Sequence, residues 1–252
     1  MSIHIGIGGW TYEPWRGVFY PKGLPQAREL AYVGEHLTAT EINATFYRRQ
    51  SPASFAKWRD AVPDGFVFAL KGSRYCTNRK DLAEAGESVG NFIGQGLVEL
   101  GDKLGPINWQ LAATKQFDAN EIAAFLALLP AQHEGLTLRH ALEPRHESFD
   151  DPAFFALCRK AGVAVVLADS PKYAVLDATD TAPFIYARLQ NASAELDQGY
   201  SDADLDAWAK RVGAWANAGM EVFAFFINGF KPKAPAAAMA LLERCADHPI
   251  KR

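Results

Sequence analysis

Only three cysteines occur in 252 residues, Cys76, Cys158 and Cys245, and no two of them form a C-x-x-C pair. A zinc ribbon or dithiol redox centre therefore has no ligands to build on, and the usage suits a reducing compartment. Histidine is sparse as well, with His4, His36, His133, His140, His146 and His248 making up all 6. Charge of one sign is lacking. The 26 Lys and Arg against 29 Asp and Glu leave a net charge of −3, which argues against a general binder of nucleic acid or anionic membrane. No apolar run approaches the ~20 residues of a membrane span. No repeat, low-complexity stretch or linker divides the chain. The opening residues Met1-Ser2-Ile3-His4-Ile5-Gly6 enter a strand pattern at once, without a basic stretch before an apolar one, so a cytoplasmic location is expected.

What is present is a large apolar complement, 49% of residues, enough for a sizeable core. It is arranged as short β-rich runs alternating with helical patterns. The runs are Ile3–Ile7, Thr38–Ile42, Phe66–Leu70, Ile107–Leu111, a fifth from Leu136 to Leu142, Val163–Ala168, Phe184–Leu189 and Val222–Ile227. Helices are expected over Pro25–His36, Ala53–Ala61, Asn120–Leu129, from Asp151-Pro152 to Ala161, Asp202–Asn217 and Ala234–Cys245. Lys80–Lys103 is also largely helical but holds glycines at 86, 90, 94, 96 and 101 that can break it. Ser170–Pro183 is too short and too rich in breakers for a full helix. The pattern predicts an α/β fold, one (β/α)8 TIM-type barrel over residues 1–252, with a short or missing helix between strands six and seven.

The strand bodies are apolar and their ends are polar. The ends read Gly8-Gly9-Trp10, Glu41 with Asn43, Lys71, Gln110, Glu143 with Arg145 and His146, Asp169, Arg188 and Asn228. Pro144 lacks an N–H and should stop the fifth strand where the charges begin. In a barrel these ends converge on the carboxyl-terminal mouth, where such folds place their ligands. Ion pairing alone predicts Lys71 beside Glu41, Asp169 beside Arg188, and Glu143 beside Asp169 or Arg145. If Glu143 instead stands in a water-filled mouth, its truncation should cost little stability.

The segments Gly9-Trp10-Thr11-Tyr12-Glu13-Pro14-Trp15-Arg16-Gly17, Glu41-Ile42-Asn43-Ala44-Thr45-Phe46-Tyr47, Leu104-Gly105-Pro106 and Glu143-Pro144-Arg145-His146-Glu147-Ser148-Phe149 resemble the YecE-like family, also called domain of unknown function 72. The resemblance runs over nearly the whole chain in one motif order. It implies a TIM-type barrel and no established reaction. By fold analogy it also invites comparison with barrel endonucleases and sugar isomerases. The sequence departs from the commoner family pattern at four places. Gln110-Leu111-Ala112-Ala113 stands for Gln-Leu-Pro-Pro, Asn78 for a histidine, Gln190-Asn191 for His-Gly, and Asn228-Gly229 for Asn-Asp.

Several chemistries compete for this mouth. Glu143, Asp169 and His146 could make one weak metal site, but Lys71, Arg145 and Arg188 would repel a cation, so no metal and no cofactor is expected. Glu41 and Glu143 could act as paired carboxylates, with Glu143 as general base and Lys71 beside it. The turn Asn228-Gly229-Phe230-Lys231-Pro232-Lys233 leads into the last helix and offers backbone N–H groups and two lysines to an anion. Tyr47-Arg48-Arg49 and Arg74-Tyr75, with Arg79 and Lys80, interleave cations with aromatics as a nucleic-acid surface would, although a solvated basic face suits the net acidity better. Trp10 and Tyr12 could stack on a base or a sugar, or plug the barrel end. Together these features predict a small anionic or polyol ligand, such as a phosphorylated sugar or nucleotide. Glu143, Lys71 and Glu41 are the candidates for chemistry. Trp10, Tyr12, Asn43, Tyr47, Arg145, His146, Asp169, Arg188, Asn228, Gly229 and Lys231 are the candidates for binding. A metal-assisted phosphodiesterase and a non-catalytic binding module are the alternatives.

Overall fold

The computed structural model describes residues 2–246, so His248 lies outside the described residues. Nine parallel strands make one sheet: β1 (Ile3–Gly8), β2 (Ala39–Ile42), β3 (Val67–Lys71), β4 (Leu104–Gln110), β5 (His140–Glu143), β6 (Ala164–Val165), β7 (Leu167–Asp169), β8 (Phe184–Leu189) and β9 (Glu221–Phe226). Their spatial order is β6-β5-β4-β3-β2-β1-β9-β8-β7. The two edge strands, β6 and β7, are one residue apart in the chain, so the sheet is nearly closed into a barrel and the chain itself links its edges at Val166. Helices α1 (Glu29–His36), α2 (Pro52–Asp60), α3 (Gly86–Ile93), α4 (Ala119–Ala127), α5 (Pro152–Ala161), α6 (Asp202–Asn217) and α7 (Ala234–Arg244) lie between or after the strands. Their starts follow local chemistry. Ser51, Asp118, Asp151 and Ser201 each accept a backbone N–H at the first turn of α2, α4, α5 and α6.

The strands are buried on both faces, as parallel sheets under helices are. One face packs on the helices through Ile5, Ile7, Leu70, Ile107 and Leu142. The other fills the barrel through a second cluster, in which Ala39, Ala69, Ala141 and Ala164 oppose Phe184, Tyr186, Phe223 and Phe225. Large rings on one wall are thus offset by small side chains on the other, which keeps the interior at native density. Gly6 of β1 belongs to the same economy. A Cβ there would stand 1.9 Å from the carbonyl oxygen of Ala39.

The fifth expected strand is shorter than its sequence suggests. Leu136–Thr137 pairs antiparallel with Gln132–His133 about a turn at Glu134 and Gly135, both at positive φ. Leu138 donates to Ala131 O at 2.8 Å, and the parallel ladder begins only at His140. The turn residues, not apolar patterning, decide where this strand starts. Lys80–Lys103 is broken as its glycines suggest, with a backbone at positive φ at Gly96 and Gly101. No helix occurs between β7 and β8. Among the described residues, no helix is long and apolar enough to cross a membrane.

Candidate functional site at the carboxyl end of the strands

Side chains two residues apart on a strand share a face. Ala39, Ala69, Ala141 and Tyr186 belong to the barrel interior. Two residues later on the same strands come Glu41, Lys71, Glu143 and Arg188, so the charged groups form one layer directly above the apolar one. Asn108 and Gln110 of β4 join it.

Arg188 organises this layer and is 1% exposed. Its Nη1 donates to Glu143 Oε2 and Oε1 at 2.7 and 2.9 Å. Its Nε and Nη2 donate to Glu41 Oε2 and Oε1 at 3.1 and 3.0 Å. One guanidinium therefore bridges carboxylates from β2 and β5, and this differs from two of the expected pairings. Glu41 is not the partner of Lys71, nor Asp169 of Arg188. The longest side chain spans the barrel, a contact that strand adjacency does not reveal. Tyr186 Oη adds a 2.6 Å bond to Glu41 Oε2. Asn108 Nδ2 and Gln110 Nε2 each donate to Glu143 at 2.9 Å, and Arg145 Nη2 reaches it at 3.4 Å.

Glu143 is 1% exposed, so it does not stand in the water-filled mouth on which its expected tolerance of truncation rests. Burial pushes its carboxyl up, but Arg188, Arg145 and the bonds from Asn108 and Gln110 outweigh that and hold it below the ordinary range. Burial depresses the Arg188 guanidinium, and Glu143 and Glu41 more than reverse this, so it stays charged. Arg188 fills the gap between the two carboxylates and leaves no room there for a glycosidic bond.

Lys71 is different. It is 8% exposed, and among the described residues its ammonium has no hydrogen bond and no ion pair. Its Nζ lies 4.2 Å from the centre of the Phe46 ring. Burial, then the Arg188 charge, lower its pKa to about 8, against an opposing pull from Glu41 and Glu143. Above this layer opens a cavity of about 600 Å³. Arg48, Lys71, Arg188 and Lys231 all line it, and no carboxylate of the described residues does. Trp10, Tyr47, Trp58 and Phe226 supply its aromatic wall, and Thr11, Asn43, Gln50 and Asn228 its neutral polar groups. Trp10 stands edge-on to Trp58 with ring centres 5.3 Å apart.

Not every candidate meets in this cavity. Tyr12 lies behind Lys231, whose Nζ sits 4.3 Å from its ring centre. Burial lowers the Lys231 pKa. Three amides of the turn expected to cradle an anion at Gly229 already have partners. Phe230 N donates to Ala192 O, Lys231 N to Gly229 O and Lys233 N to Phe230 O, at 2.7, 3.0 and 3.0 Å. His146 caps the turn Glu147–Phe149, its Nδ1 accepting from Ser148 N at 3.2 Å. Asp169 accepts from Asn191 Nδ2 and, at 3.1 Å, from Tyr200 Oη. Burial raises the Asp169 pKa. The carboxylate oxygens of Glu143 and Asp169 and the Nδ1 of His146 are thus engaged elsewhere. Among the described residues no group of three or more His, Cys, Asp or Glu could hold a metal ion. Sequence reasoning did not single out Tyr186, Asn108, Gln50 or Trp58. The first two carried a signal, since each shares a face with a named polar neighbour two residues on.

The family model described as "Protein of unknown function DUF72" matches residues 4–251. The Bacillus subtilis (strain 168) UPF0759 protein YunF is 23% identical over 265 residues, covering 90% of this chain and 88% of that one. A DUF72 family protein from Thermotoga maritima MSB8 superposes with a TM-score of 0.78 at 23% identity, covering 96% of this chain and 98% of that one. One from Enterococcus faecalis V583 does so with a TM-score of 0.76 at 17% identity, over 97% and 95% of the two chains.

Proposed function

The chain belongs to the DUF72 family, whose activity is unassigned, and from that premise we propose that its barrel mouth binds a small organic anion, a phosphorylated sugar or nucleotide. One observation carries the reading. The cavity wall gathers four cationic side chains, Arg48, Lys71, Arg188 and Lys231, and, among the described residues, no acidic one. The layer beneath adds to it. Glu41 and Glu143 face Arg188, Arg145 and Lys71, so with the lysine protonated three cations stand over two carboxylates. A buried surplus of charge is unfavourable in the free protein and favourable once an anion arrives. The aromatic wall suits the sugar or base that such an anion carries. In this arrangement Glu41 and Glu143 position Arg188, while Lys71 and Arg188 meet the ligand. The phosphodiesterase alternative has no supporting donor set among the described residues.

The test is a thermal-shift series with inorganic phosphate, sugar phosphates, nucleoside monophosphates and the matching uncharged sugars and nucleosides. A selective ligand at a hundredfold excess over its Kd stabilises the fold by roughly 2.7 kcal/mol. Phosphorylated compounds should raise the melting temperature, their uncharged counterparts should not, and Arg48→Ala with Lys231→Ala should reduce the shift. Equal stabilisation by a neutral sugar and its phosphate would overturn the reading.

A further inference from the structure

We propose that Lys71 captures its ligand covalently, its amine condensing with the carbonyl carbon of an anionic aldehyde or ketone to give an iminium; this deepens, and rests on, the anion-binding reading of the same cavity. Most buried lysines hold their charge against a carboxylate. Here both nearby carboxylates are spent on Arg188, at 2.7 to 3.1 Å. Among the described residues the Lys71 ammonium is left with only the Phe46 ring, 4.2 Å away, and it opens onto the cavity. An amine without hydrogen-bonded partners in a desolvated, cationic setting is the arrangement that activates lysine as a nucleophile. With a pKa of about 8, roughly a tenth of the side chain is neutral at pH 7.

The position is also rigid. Lys71 ends β3, its carbonyl accepts from Thr45 Oγ1 at 2.7 Å, and the next residue, Gly72, donates to Asn108 O at 2.8 Å. Arg48, Arg188 and Lys231 surround the same space and would hold the anionic end of the ligand while the carbonyl meets Nζ. The Nζ lone pair adds to the carbonyl carbon, and a proton passes from nitrogen to oxygen. The resulting hydroxyl takes a further proton from solvent and leaves as water, closing the C=N⁺ bond. No oxidant or reductant is consumed.

The probe is glyceraldehyde 3-phosphate. The full chain is incubated with it and sodium cyanoborohydride, then mapped by peptide mass spectrometry, with a parallel inorganic-phosphate titration followed by NMR. The expected result is a reduced adduct on Lys71, suppressed by excess phosphate. It should be absent in Lys71→Arg, which keeps the charge but has no amine to condense. Adducts scattered over surface lysines with none on Lys71, while phosphate binds, would overturn the covalent step and leave the anion site standing. No phosphate binding by the wild-type chain would overturn both. The wild-type map decides the matter even if the variant fails to fold.

Discussion

Replacing Glu143 by alanine removes the acceptor for three side chains from two strands of the barrel at once. Arg188 Nη1 loses bonds of 2.7 and 2.9 Å, and Asn108 Nδ2 and Gln110 Nε2 lose theirs at 2.9 Å. All four residues are buried. Glu41 still holds the other edge of the guanidinium, but the remaining donors face a void. Breaking one partner out of a buried ionic cluster costs about 3–5 kcal/mol. Set against a global stability of about 5–15 kcal/mol, that is a large share. For a chain of this size each kcal/mol moves the melting temperature by about 2–4 °C, so Glu143→Ala should melt about 6–20 °C below wild type. Glu143→Gln keeps one oxygen and the shape and should fall between the two. The acid side gives an independent check. Because the folded carboxyl sits below its ordinary range, its stabilisation is complete above that range and is lost as pH falls through the folded value. The gap between wild type and Glu143→Ala should therefore narrow in acid. Urea melts at neutral and acid pH measure both effects. A loss under about 1 kcal/mol at neutral pH would show that the bridge contributes little and would refute this reasoning.

Lys71→Met should stabilise the protein at pH 7. The folded pKa of about 8 lies below the ordinary 10.5, a difference worth on the order of 3 kcal/mol. Below pH 8 both states are protonated and the penalty is full. As pH rises from 8 to 10.5 the folded state sheds its proton first, wild type gains, and the difference between the two proteins should close. Denaturant melts across that range decide it, and a destabilised variant at pH 7 would contradict the reading of the lysine as uncompensated. Gly6→Ala should cost at least the ~1–3 kcal/mol of an overpacked core, because the new Cβ meets backbone, not a movable side chain. A melt unchanged from wild type would show that β1 and β2 can part without loss.

Much of this architecture was legible in the chain. The charged layer could be seen because Glu41, Lys71, Glu143 and Arg188 each end a β-rich run. Once the strands are parallel, all four must rise on the same side. The alternating pattern also gave the barrel-like sheet, but not its count of nine strands, because the expected run Val163–Ala168 is divided at Val166 where it changes partners. Of the pairings inside the layer, Glu143 with Arg145 was legible and those of Lys71, Glu41 and Arg188 were not. Lys71 with Glu41 is the natural guess for neighbouring strands, yet Arg188 reaches across the interior from β8 and takes both carboxylates. Which group crosses a barrel depends on side-chain length and on what fills the layer below, and neither is local. Arg48 and Trp58 escaped as wall residues for a related reason. They come from the turn after β2 and from α2, whose approach to the mouth is fixed by tertiary packing. The fifth strand is shorter than apolar patterning implies because Glu134 and Gly135 fold the chain back on itself.

The junction at Val166 also bears on how this molecule can come apart. The amide of Val166 donates to Leu142 O on one flank, and Leu167–Asp169 pairs with Ala187, Arg188 and Leu189 on the other. Six consecutive residues therefore serve as the clasp of the hoop, and the changeover takes a single residue. Amide exchange in this segment cannot report a private local fluctuation, since releasing it undoes the ring. Its protection should track that of β5 and β8 together. A protease nick or an insertion at Val166 would be felt far from the cut, because it would bare two unpaired strand edges in one event, each a template for another chain. The same insertion placed between Ser170 and Pro183, beyond the clasp, would leave the hoop intact.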